Sequence, residues 1–229
     1  FRFSLLSQGA VVAANEVGLG QLPMSASGPV VFLNHDWHAG LVPAYLKVAQ
    51  SWGVLRGSKC AHVIHNIAHQ GSMSHDRLSA LALPASLRSA LDMGGVINPL
   101  KAGLALSDKI VTVSPSYAHE IQSSEFGMGL ESVLQHRRRD IVGILNGIDE
   151  QKHNPQSGQG VAAPFSAEDL RGKALCKAEL QRSVGLQIHP KRPLFGFVSR
   201  LDFQKGVDVL LEVLPYLVSR GAQIVLLGT

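Results

Sequence analysis

Short apolar runs recur along this chain, and most are followed by a segment whose apolar residues fall at helical spacing. The runs are 30–33 (VVFL), 62–66 (HVIHN), 109–113 (KIVTV), 141–145 (IVGIL) and 193–198 (PLFGFV). Runs this brief and this rich in β-formers read as buried strands. Helices are expected at 2–16, from 35 through 48, at 101–105, at 116–122 behind a Ser114-Pro115 cap, at 167–184 and at 206–218. Strands alternating with helices specify an α/β protein with parallel sheets covered on both faces. The stretch 149–167 is polar and rich in Gly, Pro and Gln, and it divides two such sheets as a linker. Between 72 and 96 the pattern is least regular. A helix over 77–91, interrupted by Pro84 and ended by Gly94-Gly95, is the expectation there.

Bulk properties narrow the class. The 229 residues are 45% hydrophobic and 17% charged with a net charge of +4, which suits a globular enzyme or binding protein. One basic run, His136 to Arg139, lacks interleaved aromatics and lies between Glu131 and Asp140. It reads as a solvated face, and no nucleic-acid partner is expected. Two distant cysteines give no disulfide framework. No run reaches the ~18 apolar residues of a membrane span. There is no nucleophile elbow, no Walker loop and no G-x-G-x-x-G after a strand. The spacings His35/His38 and His62/His65/His69 would suit zinc, but H-E-x-x-H is absent and strand alternation sends His62 and His65 to opposite faces. No metal site is assigned.

In parallel sheets the polar residues just past the strand ends face the ligand. Here those positions carry Asn34-His35-Asp36, His65-Asn66, Ser114, Asn146 and Ser199-Arg200, a hydrogen-bonding lining with few carboxylates that suits a sugar and a phosphate. Arg200 and Lys205 lie five residues apart between a strand and the helix that opens near Gly206. Across such a turn both converge on the positive end of the helix dipole, where free N–H groups also point. Two readings stay open: a diphosphate site, or a solvated loop with Asp202 as an ion-pair partner. Asp36 likewise reads as a sugar contact or as the N-cap of the helix that follows, and His65 as a substrate contact or as a buried structural histidine. Asn146-Gly147 reads as a ligand contact or as a plain turn, and His38 as a contact or a structural residue.

Taken together, HDWHAGL (35–41), HNIAHQG (65–71), LKAGL (100–104), VSPSY (113–117), GILNGID (143–149), KAELQ (177–181) and SRLDFQKG (199–206) closely resemble the bacterial-type glycogen synthases and plant starch synthases. These are retaining glucosyltransferases of the GT-B fold, with two Rossmann-like domains facing a cleft. The resemblance implies an N-terminal, acceptor-side domain over 1–148, the linker, and the start of a nucleotide-sugar-binding domain over 168–229, both domains incomplete. It departs from the family where the N-terminal Lys-x-Gly-Gly-Leu loop and the C-terminal Glu motif are missing. An internal fragment of a longer enzyme, inactive by itself, is therefore expected.

By the same resemblance Arg200 and Lys205 hold the nucleotide diphosphate, His65 contacts the transferred glucose, and Asp36 and Asn146 lie at that pocket. Asn66, Ser199, Gly206 and His38 of the same motifs are its further substrate-binding candidates. The implied reaction moves glucose from ADP-glucose to the non-reducing end of an α-1,4-glucan with retention and requires no metal or cofactor. The alternatives are a non-catalytic glucan-binding or scaffold protein, and a GT-B transferase with another donor. The form at 67–71 resembles plant and algal soluble starch synthases, which implies a plastid (chloroplast or amyloplast). A bacterial source would imply the cytoplasm.

Overall fold

The structure, a computed structural model, describes residues 2–16 and 29–229. It divides into two compact units, Phe1–Gly147 and Ile148–Thr229. The expected linker therefore falls within the second unit, where 155–157 form a 3-10 turn.

The first unit opens with α1 (Arg2–Glu16), β1 (Val31–His35), α2 (Val42–Ser51) and β2 (Lys59–Ile64). The irregular section follows, with β3 (Met73–Ser74), α3 (Arg88–Leu91), β4 (Asp92–Met93) and β5 (Val96–Ile97). Then come α4 (Pro99–Leu106), β6 (Lys109–Thr112), α5 (Pro115–Glu120), α6 (Glu131–His136) and β7 (Ile141–Gly143). Four strands form one parallel sheet in the order β1-β2-β6-β7. Its central strand β2 is the most buried, as a strand with neighbours on both edges should be.

Helix α4 lies between two apolar clusters. Leu100 and Leu104 pack with Ile64, Ile110, Ile121 and Leu134, while Ala102 joins Leu41, Tyr45, Leu46, Leu91 and Ile97. Full burial of each of these leucines contributes about 1.5–3 kcal/mol. Gly103 lets the helix approach the sheet. A Cβ there would meet the His62 ring at 2.4 Å. The helix starts cleanly because Asn98 accepts from the Lys101 amide and Pro99 takes the first position.

Several expectations are corrected. The strand β1 is not buried on both faces: Val31 and Leu33 are 71% and 60% exposed, while Asn34 is buried. The section 72–96 is no single helix. It holds 3-10 turns at His75–Leu81 and Ala85–Leu87, the short α3, and a three-stranded antiparallel sheet in the order β3-β5-β4. Gly94 and Gly95, both at positive φ, make the two-residue turn of its β4–β5 hairpin rather than a helix stop. The strand β7 ends at Gly143, two residues short of the expected Leu145. It is an edge strand whose glycine backs onto the Ser114 carbonyl, with 2.2 Å left for a Cβ. The basic run is not uniformly solvated either. The Arg137 guanidinium donates to the carbonyls of Leu104, Ala105, Ser107 and Asp108 and pairs with Asp140, closing the C-terminus of α4. His136, Arg138 and Arg139 are exposed and follow the solvated reading.

The second unit contains α7 (Arg171–Ser183), β8 (Leu194–Val198), α8 (Val207–Ser219) and β9 (Gln223–Leu227), with β8 and β9 parallel. Gly185, at φ 72°, ends α7, and the Leu186 amide reaches back to the Gln181 carbonyl. The Gln181 side chain is itself buried and donates to Gln223 on β9 at 2.5 Å. That pair is the physical reason for the glutamine of the KAELQ segment. No residue of β8 or α8 is buried, so the expected buried strand at 193–198 is half open. Among the described residues, no helix is long and apolar enough to cross a membrane.

Candidate functional site

In the first unit the parallel register carries the carboxyl ends of β1, β2 and β6 to one edge of the sheet. His35 closes β1, and His65 and Asn66 follow β2 directly. The His35 Nδ1 lies 2.9 Å from His65 Nε2, with the rings stacked 5.2 Å apart at 29°. Both imidazoles are exposed.

Asp36 does something the sequence did not suggest. It makes no side-chain cap for the 3-10 turn Trp37–Ala39. Its Oδ1 instead accepts from the backbone amides of His65, at 2.8 Å, and Asn66, at 3.4 Å, while its own amide donates to Val63. The residue sits at φ 48°, ψ −168°, a conformation normally left to glycine. The next amide, Ile67, donates to the Tyr117 hydroxyl at 3.0 Å. Three consecutive amides of the 65–67 loop are thus held by side chains from two neighbouring strand ends. Asn66 turns its Oδ1 to the Ala68 amide, which tightens the loop further.

Burial raises the Tyr117 pKa, and the nearby Asp36 and Glu120 carboxylates add to that, so the hydroxyl stays neutral while it accepts from Ile67. Tyr117 was missed as a site residue. Its signal was its place in the first turn of a helix capped by Ser114, whose hydroxyl accepts from the Tyr117 amide. Behind the site His62 is fully buried, and burial pushes it down to about 4. Beneath the loop, Gly71 at φ 66° lies against Trp37, so close that a Cβ would meet the indole at 2.1 Å.

His38 lies in the 3-10 turn that follows β1. It stacks on Trp37 at 4.2 Å with Phe3 of α1 edge-on at 4.8 Å, an aromatic cluster joining α1 to the turn after β1. Asn146 is exposed, three residues past the end of β7.

In the second unit Ser199 and Arg200 follow β8, and a 3-10 turn Phe203–Lys205 leads through Gly206, at φ 73°, into α8. The Arg200 guanidinium pairs with Asp202 at 3.3 Å and is 62% exposed. One oxygen of Asp202, Oδ1, is buried without a partner among the described residues. Lys205 is exposed. Both cations thus lie in the loop that leads into the 13-residue helix α8, whose N-cap is Gly206. Positive charge beside a helix N-terminus suits an anion, while Arg200 also has the ion-pair partner of the blander reading.

Comparison with known proteins places these residues in a lineage. The family described as the starch synthase catalytic domain matches residues 1–136. Soluble starch synthase 1, chloroplastic/amyloplastic, of Solanum tuberosum is 40% identical over 243 aligned residues, covering 100% of this chain and 38% of that protein. Glycogen synthases of Myxococcus xanthus and Rhodopseudomonas palustris are 42% and 45% identical over 100% of this chain and 46% of their own lengths. The chain thus spans less than half the length of these relatives. Among solved structures, the catalytic domain of starch synthase IV from Arabidopsis thaliana, bound to ADP and acarbose, aligns with a TM-score of 0.82 at 32% identity. That alignment covers 99% of this chain and 46% of the other. The GT-B type of α/β fold expected from the sequence is thereby shown, and the chain belongs to the starch synthase catalytic domain family.

Proposed function

We propose that the protein carrying this sequence transfers glucose from ADP-glucose to the non-reducing end of an α-1,4-glucan with retention at the anomeric carbon. The observation that carries the proposal is the braced 65–67 loop. A histidine and an asparagine are fixed at a parallel-sheet edge by the Asp36 carboxylate and the Tyr117 hydroxyl, in a chain alignable along its length with an enzyme bound to ADP and acarbose.

In this scheme His65, Asn66 and Asn146 contact the glucosyl unit, and Asp36 acts through the loop it holds. Cleaving the C1–O bond leaves positive charge on the sugar and adds negative charge to the departing ADP. Arg200 and Lys205, with the Ser199–Gly206 backbone, stabilise that leaving charge where it develops. No metal or other cofactor is invoked. The compartment follows the source: a plastid for a plant or alga, as in the potato relative's name, and the cytoplasm for a bacterium.

The test is transfer of labelled glucose from ADP-glucose to a maltooligosaccharide. Chain extension with retained configuration is expected. Binding of the oligosaccharide without any transfer would favour the glucan-binding alternative, and transfer only from another nucleotide sugar would overturn the donor assignment.

A further inference from the structure

The contact between His35 and His65 fixes more than a ring position. One proton bridges Nδ1 of the first and Nε2 of the second, 2.9 Å apart, and whichever nitrogen donates also determines what each ring's other nitrogen offers. The Nε2–H form is the intrinsically favoured neutral tautomer of a histidine side chain. Only one arrangement gives that form to both rings: His65 Nε2–H donating to a bare His35 Nδ1.

We propose that His35 is a positioning residue that locks the tautomer of His65, leaving His65 Nδ1 as a hydrogen-bond acceptor and His35 Nε2–H as a donor. The backbone of His65 is fixed separately, by Asp36 through its amide. The frame and the ring therefore have independent supports, and the ring's support is an exposed side chain at the end of β1. An acceptor and a donor on adjacent rings match sugar hydroxyls, each of which donates once and accepts as well. Resting on the glucosyl-transfer reading for its ligand, the inference makes the His35–His65 pair a recognition element for the hexose and not for the nucleotide.

The direct test is long-range proton–nitrogen correlation of the imidazoles in 15N-labelled protein near neutral pH, which distinguishes the two tautomers without any substrate. His65 is expected with a protonated Nε2 and a bare Nδ1. His35→Phe should collapse this to an averaged pattern, and His35→Asn, whose side-chain oxygen accepts in place of Nδ1, should restore it. A His65 protonated at Nδ1 in the wild type would overturn the inference, as would a His65 pattern unchanged in His35→Phe. Should His35→Phe fail to fold, the wild-type tautomer and the His35→Asn pattern decide the matter. In kinetics, His35→Phe removes the His35 donor and frees the His65 acceptor, so it should raise KM for ADP-glucose about 10- to 100-fold, with the inhibition constant for ADP unchanged. Equal loss for both ligands would place the role outside hexose recognition. A wild-type protein that does not use ADP-glucose would remove the glucosyl-transfer reading and leave the tautomer result standing on its own.

Discussion

His62 should make the first unit acid-sensitive by an amount the structure sets. The side chain lies in the central strand β2 with no exposure, its Nδ1 against the Asn34 amide and its Nε2 buried without a partner among the described residues. Burial is the chief reason its pKa falls to about 4. The Asp36 carboxylate opposes the shift and His35 reinforces it. The unfolded chain protonates this group at its ordinary value, so between about pH 6.5 and 4 the unfolded state binds a proton that the folded state refuses. The contribution is complete above that window and is lost as pH falls through it. From these two values the loss is about 2 kcal/mol by about pH 5 and about 3 kcal/mol by about pH 4.

Urea unfolding followed by tryptophan fluorescence reads this unit alone, because both tryptophans, Trp37 and Trp52, belong to it. The control is His62→Leu, less stable at neutral pH but unable to titrate. Its deficit against the wild type should shrink by about 2 kcal/mol between about pH 7.5 and 5. The carboxylates do not confuse the comparison. Asp140 is held low by Lys109 and Arg137, and Asp108, despite the opposing effect of burial, by the Cys60 amide and Lys59. Both titrate alike in the two proteins. Parallel stability curves across that range would refute the reasoning.

Three further outcomes follow from named contacts. Arg137→Ala should cost about 2–4 kcal/mol in the same unfolding assay, because four carbonyls and Asp140 lose a shared charged donor, whereas Arg138→Ala and Arg139→Ala should each stay within about 0.5 kcal/mol. Asp36→Gly should leave stability nearly unchanged, since relief of about 1–3 kcal/mol of backbone strain offsets the lost amide bonds. Asp36→Ala, which keeps the strain, should be clearly less stable, and both should lose glucosyl transfer. Tyr117→Phe should destabilise by about 1–3 kcal/mol by stranding the Ile67 amide, and hydrogen exchange at that amide should quicken.

Much of this was legible in the chain because it depends on local rules. The parallel sheet of the first unit could be read from apolar runs between helical segments, and the Ser114-Pro115 cap lies where serine and proline chemistry puts it. What escaped depends on partners distant in sequence. Asp36 could be read as a sugar contact or as a helix cap, the second because the residues after it open a helical turn, yet its carboxylate accepts from amides 29 and 30 residues away. Arg137 looked solvated because it stands in a run of cations, and only the fold brings the end of α4 beneath it. The apolar residues of β1 and β8 promised two-sided burial, but composition cannot say which face of a strand receives a neighbour. His35 could be named as a strand-end residue. Its contact with His65 required the β1–β2 pairing, which sets His35 opposite Val63, two residues before His65.

The role assigned to the loop between β8 and α8 is tested most directly by nucleotide affinity, with ADP compared against AMP in the wild type and in Lys205→Ala. A cation that holds the diphosphate should, when removed, weaken ADP roughly 10- to 100-fold while leaving AMP within about twofold, as expected for loss of a charge-assisted hydrogen bond. Equal losses for both nucleotides, or no loss for either, would contradict it.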